Sequence, residues 1–134
     1  MTCVLDASMA LSFVLADEFT AKSKRTLATV ARGGAIVPAL WDVEVMNALR
    51  SAEKRGRLSA AALTNAIHGL ERLPIERDHR AVDGLRLTAI AREFDVSVYD
   101  ASFLALSLDV NLPLATLDQR LIAAARAAGV TLVK

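Results

Sequence analysis

The sequence predicts an α/β fold, a short and mostly parallel sheet of about five strands with helices on both faces, forming one domain over residues 1–134. Three observations carry this expectation. Short apolar segments alternate with helical ones along the chain, the order that winds a parallel sheet. The strand segments lack a polar face, as strands covered on both sides require. The composition is 54% hydrophobic with a mean hydropathy of +0.37, enough to fill a core without disulfides.

Thr2 to Leu5 is a short strand ending at Asp6. Helices follow over about Ala7–Ala16 and Thr20–Ala31, the second stopped by Gly33 and Gly34. Ala35–Val37 is a strand before Pro38. Leu40–Arg55 is an amphipathic helix, because Trp41, Val45, Ala48, Leu49 and Ala52 recur at helical spacing. Gly56 ends it. Ser59 caps a helix reaching about Leu70, and Leu73–Ile75 is the third strand. Arg80–Phe94 is helical, and Tyr99–Leu108 is a helix so apolar that burial on most sides is expected. Leu112–Ala115 is strand, Asp118–Ala128 helix, and Val130–Val133 the last strand.

Charge and composition narrow the function. Sixteen basic residues oppose fifteen acidic ones, so the chain as a whole is no polycation for nucleic acid. Twelve of the basic residues are arginine, the side chain shaped to grip phosphate through two parallel hydrogen bonds. Two groups, Lys22-Lys24-Arg25 and Arg50-Lys54-Arg55-Arg57, are either a local basic rim or solvated helix faces. No apolar run reaches the length of a membrane span, and Asp6 interrupts the only apolar stretch near the start. The single cysteine, Cys3, forms no internal disulfide. The expectation is a cytoplasmic protein without a membrane partner.

Four acids stand out by position. Asp6 is the only charged residue between Met1 and Ala16, and Asp100 the only one between Val96 and Leu108. A lone carboxylate in so apolar a setting is costly unless paired, protonated or bound to metal, although each residue could also serve as a helix N-cap or first-turn acid. Glu44 sits on the flank of its helix's apolar stripe, turned from the charged face and sharing its side with Asn47. Asp118 closes a strand with Thr116 two residues before it, and is either a site acid or a plain N-cap. All four belong to the carboxyl end of the expected sheet, where open α/β sheets bind ligands. Four carboxylates gathered there could not all stay ionised without a cation. Their hard oxygen atoms suit magnesium or manganese; Cys3, His68 and His79 fall outside the group, against zinc.

Val4-Leu5-Asp6-Ala7-Ser8 resembles the opening motif of the PIN-domain nucleases. Trp41-Asp42-Val43-Glu44-Val45-Met46-Asn47-Ala48-Leu49 is similar to their second, Tyr99-Asp100-Ala101-Ser102 to the third, and Leu114-Ala115-Thr116-Leu117-Asp118 to the fourth. Each is weak alone; the four in order across the whole chain are specific, and the VapC-type toxins of toxin–antitoxin pairs are the subgroup they most resemble. The resemblance implies a PIN-like domain and an endoribonuclease whose Asp6, Glu44, Asp100 and Asp118 hold one or two Mg²⁺ or Mn²⁺ ions. It implies Ser8, Asn47 and Thr116 as hydrogen-bonding supports. It also implies hydrolysis by activated water, leaving 5′-phosphate and 3′-hydroxyl ends, with a second copy of the chain and an antitoxin as partners.

Rival readings fit less well. A haloacid-dehalogenase-type phosphatase needs a second acid where Ser8 stands. A receiver domain needs a lysine after its fifth strand, and the only late lysine is Lys134; Asp78 lies near the phosphoacceptor position. A catalytically silent module that binds RNA or protein is the alternative of a different class, but it has no need of four mutually repelling carboxylates.

Overall fold

Cys3–Leu5, all three residues apolar and fully buried, form β1 in a computed structural model that describes residues 1–134. Ala35–Pro38 forms β2, Ile75–Asp78 β3 and Leu114–Ala115 β4. The strands pair in the order β3-β2-β1-β4, and every pairing is parallel. The chain therefore steps outward from β1 to β2 and β3, then crosses back to lay β4 on the other side of β1. That reversal opens a crevice between the carboxyl ends of β1 and β4, the place where sheets of this class bind ligands.

Seven helices complete the α/β fold: α1 Ala7–Val14, α2 Ala21–Gly33, α3 Trp41–Lys54, α4 Ala60–Glu71, α5 Gly84–Phe94, α6 Val98–Val110 and α7 Gln119–Ala128. Helix α1 packs with α2, α3 and α4, while α5, α6 and α7 pack with one another and α6 lies against β1, β2 and β4. The strand residues join Met9, Trp41, Val45, Leu49, Phe103, Leu104 and Leu121 in the main core. The apolar stripe of α3 and Met9 of α1 are thus core, not an open groove. Two glycines fix the turn into β2. A Cβ on Gly33 would stand 2.3 Å from Thr2 Cγ2, and Gly34 ends α2 at φ 78°, where side chains are rarely tolerated.

The structure departs from the sequence expectations at three places. Residues Val130–Val133 do not form a full strand; Leu132 meets Leu114 in one parallel bridge. The cause is the brevity of β4, which turns away after two residues and offers no longer template. Strand β3 lies at Ile75–Asp78 and not Leu73–Ile75, and its polar residues break the expectation of purely apolar strands. It is an edge strand, paired on one side only, so Glu76 is exposed and Arg77 forms a two-pronged bond to Asp42 at 2.8 and 3.0 Å. Helix α5 begins at Gly84, not Arg80, because Asp83 caps it by accepting from the Arg86 N–H. Helix α6 is buried on most sides, as its apolar sequence predicts: Ala101 and Phe103 to Ser107 are buried, and only its ends, at Val98, Tyr99 and Leu108, are exposed.

Phe103 is fully buried in the core cluster that contains the strands. Phe103→Ala is expected to lower the unfolding free energy by about 3–5 kcal/mol. A denaturant melt with an unchanged m-value would register this as a shift of midpoint; a midpoint within experimental error of wild type would contradict the packing described.

Candidate active site

Asp6 leaves the end of the central strand β1 with only 5% of its surface exposed. It occupies the N-cap position of α1, yet its side chain makes no capping bond. Two hydroxyls serve it instead: Ser8 Oγ donates to Asp6 Oδ2 at 2.6 Å, and Thr116 Oγ1 donates to the same oxygen at 2.7 Å. The hydroxyls lie 3.2 Å apart. Backbone amides hold them in turn, the Leu117 N–H reaching Ser8 Oγ at 2.9 Å and the Asp118 N–H reaching Thr116 Oγ1 at 3.0 Å. The Asp6 N–H itself bonds Ala115 O, so the ends of β1 and β4 are stitched together by backbone and side chain alike. Oδ2 carries both hydroxyls, and the backbone amides of Ala7 and Ser8 also favour the ionised carboxylate.

The other three acids arrive on helices. Asp118 is the N-cap of α7 and accepts the Leu121 N–H at 2.9 Å, so it is a cap as well as a neighbour of Thr116. Asp100 stands in the first turn of α6, its N–H bonded to Ser97 Oγ at 3.0 Å. Glu44 lies in the first turn of α3, half-buried. None of the four is in an ion pair, whereas Asp17, Glu18, Asp42, Glu53, Asp78 and Asp109 all have an arginine partner.

Electrostatics report the convergence. Burial is the largest influence on Glu44, and the charges of Asp6 and Asp100 add to it, pushing its pKa up to about 7. Burial also raises Asp100, with the charges of Asp118 and Asp6 in the same direction and Ser97 and Arg120 opposing. Asp6 is raised by burial against the pull of its hydrogen bonds. The carboxylates feel one another, but no three close into a ready coordination shell. Magnesium commonly takes only one or two carboxylates and keeps several waters, so an all-oxygen set of this openness fits such an ion.

A PIN domain family profile matches residues 3–127. The chain belongs to the PIN-domain family. Ribonuclease VapC9 of Mycobacterium tuberculosis is 36% identical over 118 residues, covering 88% of this chain and 87% of that one. Ribonuclease VapC3 of the same organism is 31% identical over 94 residues, covering 70% and 67%. Among solved structures, PAE2754 from Pyrobaculum aerophilum superposes with a TM-score of 0.72 at 20% identity, over 92% of this chain and 84% of that one. A toxin–antitoxin complex from Klebsiella pneumoniae gives a TM-score of 0.59 at 17% identity, with 87% of both chains covered. These last two likenesses bear on the fold alone, and they agree with the family match.

In this PIN domain, then, Asp6, Ser8, Thr116 and Asp118 form one hydrogen-bonded unit, while Glu44 and Asp100 bear on it through their charge. Asn47 is exposed and forms no side-chain hydrogen bond to any of the acids. Ser97 was not among the sequence candidates, although Ser97-Val98-Tyr99-Asp100 has the spacing of a helix cap. His68 pairs with Glu71 at 3.6 Å and His79 lies beside Asp42 and Asp78, apart from the site.

The raised Glu44 sets a pH dependence. Its folded pKa of about 7 exceeds the ordinary 4.5, so between those values the folded state binds more protons than the unfolded one. Without added cation, stability contributed by this group is full below pH 4.5 and is lost as pH rises through about 7. Thermal melts from pH 5 to pH 8 should show a falling Tm, and Glu44→Gln should flatten that slope. A wild-type profile that rises over this window would contradict the assignment.

Proposed function

We propose that this PIN domain is a Mg²⁺- or Mn²⁺-dependent endoribonuclease, the toxin of a toxin–antitoxin pair acting in the cytoplasm. The observation that carries the proposal is a set of four carboxylates without an ion-pair partner, Asp6 and Asp118 after β1 and β4 and Glu44 and Asp100 in the first turns of α3 and α6, with Glu44 pushed up to about 7 in part by the charges of Asp6 and Asp100. The names of the VapC ribonucleases to which the chain is similar support the RNA substrate, and the toxin–antitoxin neighbour supports an antitoxin as partner. A second copy of the chain is the further partner proposed.

Asp6 and Asp100 would be the principal metal ligands, Glu44 would bind directly or through water, and Asp118 would complete the outer shell or a second site. The ion, when bound, supplies an activated water and neutralises charge on the phosphate under attack. The protein's own part is preorganisation. Ser8 and Thr116 fix the Asp6 carboxylate through Oδ2, which sets its orientation toward a bound ion. The α7 cap holds Asp118 from turning freely, and the Ser97 cap sets the first turn of α6 that carries Asp100. Hydrolysis in line with the departing 3′ oxygen would leave 5′-phosphate and 3′-hydroxyl ends. The protein's two histidines lie apart from the acids, leaving no acid–base pair for attack by the 2′ hydroxyl.

The test is cleavage of an end-labelled RNA pool by purified protein with Mg²⁺, with EDTA, and with Asp6→Asn or Asp100→Asn. Cuts that need metal, bear 5′ phosphates and disappear in both variants are expected. Cleavage surviving EDTA and both substitutions would sink the reading. Thr116→Val keeps all four acids but removes one hydroxyl from Asp6; activity and Mn²⁺ affinity should fall roughly 10- to 100-fold. Equal activity in that variant would mean that Asp6 needs no orienting partner.

A further inference from the structure

Resting on the reading that these acids cut RNA, we propose that Arg120 is a substrate-binding residue whose guanidinium grips an RNA phosphate flanking the one being cut. The need for such a residue is electrostatic. RNA carries a negative charge at every nucleotide, and four carboxylates surround the point it must reach. A bound metal answers the charge of the attacked phosphate, but the flanking phosphates need cations from the protein.

Five of the chain's twelve arginines are already engaged. Arg50 is bonded to Glu53, Arg57 to Asp17 and Glu18, and Arg77 to Asp42. Arg80 is bonded to Asp78 and Asp109, and Arg86 to Asp109. Arg120 is exposed, forms no ion pair and donates no side-chain hydrogen bond. It is the second residue of α7, two positions after Asp118 and next to the fully buried Leu121. The adjacent Asp118 directs Oδ1 to the Leu121 N–H and forms no ion pair with the arginine. Arg120 thus stands at the rim of the acid cluster with its donors uncommitted, and its charge is felt at Asp100.

The helix that carries Arg120 does not account for it there. The first turn of a helix is the positive end of its dipole, where a cation is unfavourable. A lone surface arginine elsewhere needs no explanation; at this position it works against the helix that carries it. A guanidinium offers a planar fork of donors matched to phosphate oxygens, so the residue type fits the proposed ligand. Arg126 supplies an internal control. It is exposed and unpaired on the same helix, but six residues on and so about 9 Å farther along the axis.

The test measures KM, kcat and the salt dependence of kcat/KM on a single-stranded RNA, with anisotropy of labelled RNA in EDTA as a readout independent of cleavage. Arg120→Ala should raise KM about tenfold with kcat within about twofold, and reduce the log–log salt slope by about 0.7, one single-strand phosphate contact. Arg120→Lys should keep the slope and recover part of the affinity. Arg126→Ala should match wild type in every respect. An Arg120→Ala protein with unchanged KM and salt slope, or one altered only in Mn²⁺ affinity or pH profile, would overturn the assignment while leaving the nuclease reading intact. A wild-type protein that neither binds nor cuts RNA would overturn that reading itself.

Discussion

The structure is organised around a carboxylate that is out of water without a cation beside it. Asp6 follows directly on the central strand of a sheet flanked by helices, where its ionised form would cost several kcal/mol if left alone. Two hydroxyls and no arginine meet it there. A guanidinium would have satisfied the charge permanently, as it does for Asp42, and removed the group from further chemistry. Hydroxyls orient the carboxylate while leaving most of its charge uncancelled. The brevity of β4 belongs to the same arrangement: the strand stops after Ala115 so that Thr116 can turn its hydroxyl onto Asp6 and the chain can enter α7 at Asp118. The fifth strand is lost to that turn, surviving as the single bridge at Leu132.

Glu44 and Asp100 arrive from opposite helical groups, on α3 and α6, and each is disfavoured as an anion by burial and by its neighbours' charge. The state of the cluster is consequently set by what joins it. Protons relieve the repulsion at low pH, and a divalent cation would relieve it at neutral pH, where Glu44 sits near its midpoint. On the proposed reading, stability and function draw on the same electrostatic tension at Glu44, which burial and its neighbours' charge disfavour as an anion.

Much of this was legible in the sequence because charge is conspicuous in apolar surroundings. Asp6 and Asp100 stand alone in long uncharged stretches, and Glu44 departs from the charged face of its own helix. What periodicity could not reveal was long-range. The Ser8–Thr116 contact spans 108 residues of sequence, and only the parallel pairing of β1 with β4 makes it possible. Edge position could not be read either: Glu76-Arg77-Asp78 looked like loop because it is polar, yet an edge strand needs an apolar partner only on its inner side. For α6, near-uniform apolarity pointed to burial on most sides, and the middle of the helix is so buried; only its first turn stands clear at the rim, leaving Tyr99 exposed beside Asp100.

The two aspartates that precede helices show why a local motif does not decide a residue's role. Asp6 and Asp118 both hold N-cap positions after adjacent parallel strands, in similar extended backbone conformations. Asp118 lies at the surface and caps its helix through one oxygen, which restrains the side chain but leaves the second oxygen without a hydrogen bond. Asp6, almost fully buried, makes no capping bond and takes the hydroxyls of Ser8 and Thr116. Capping and site membership are therefore not rival explanations for Asp118, since a cap uses one of two oxygens. Asp6 makes no comparable capping bond, and helix formation alone gives no account of why a carboxylate is buried at that position. The proposed site, which would use an oriented, uncancelled negative charge at the end of β1, does.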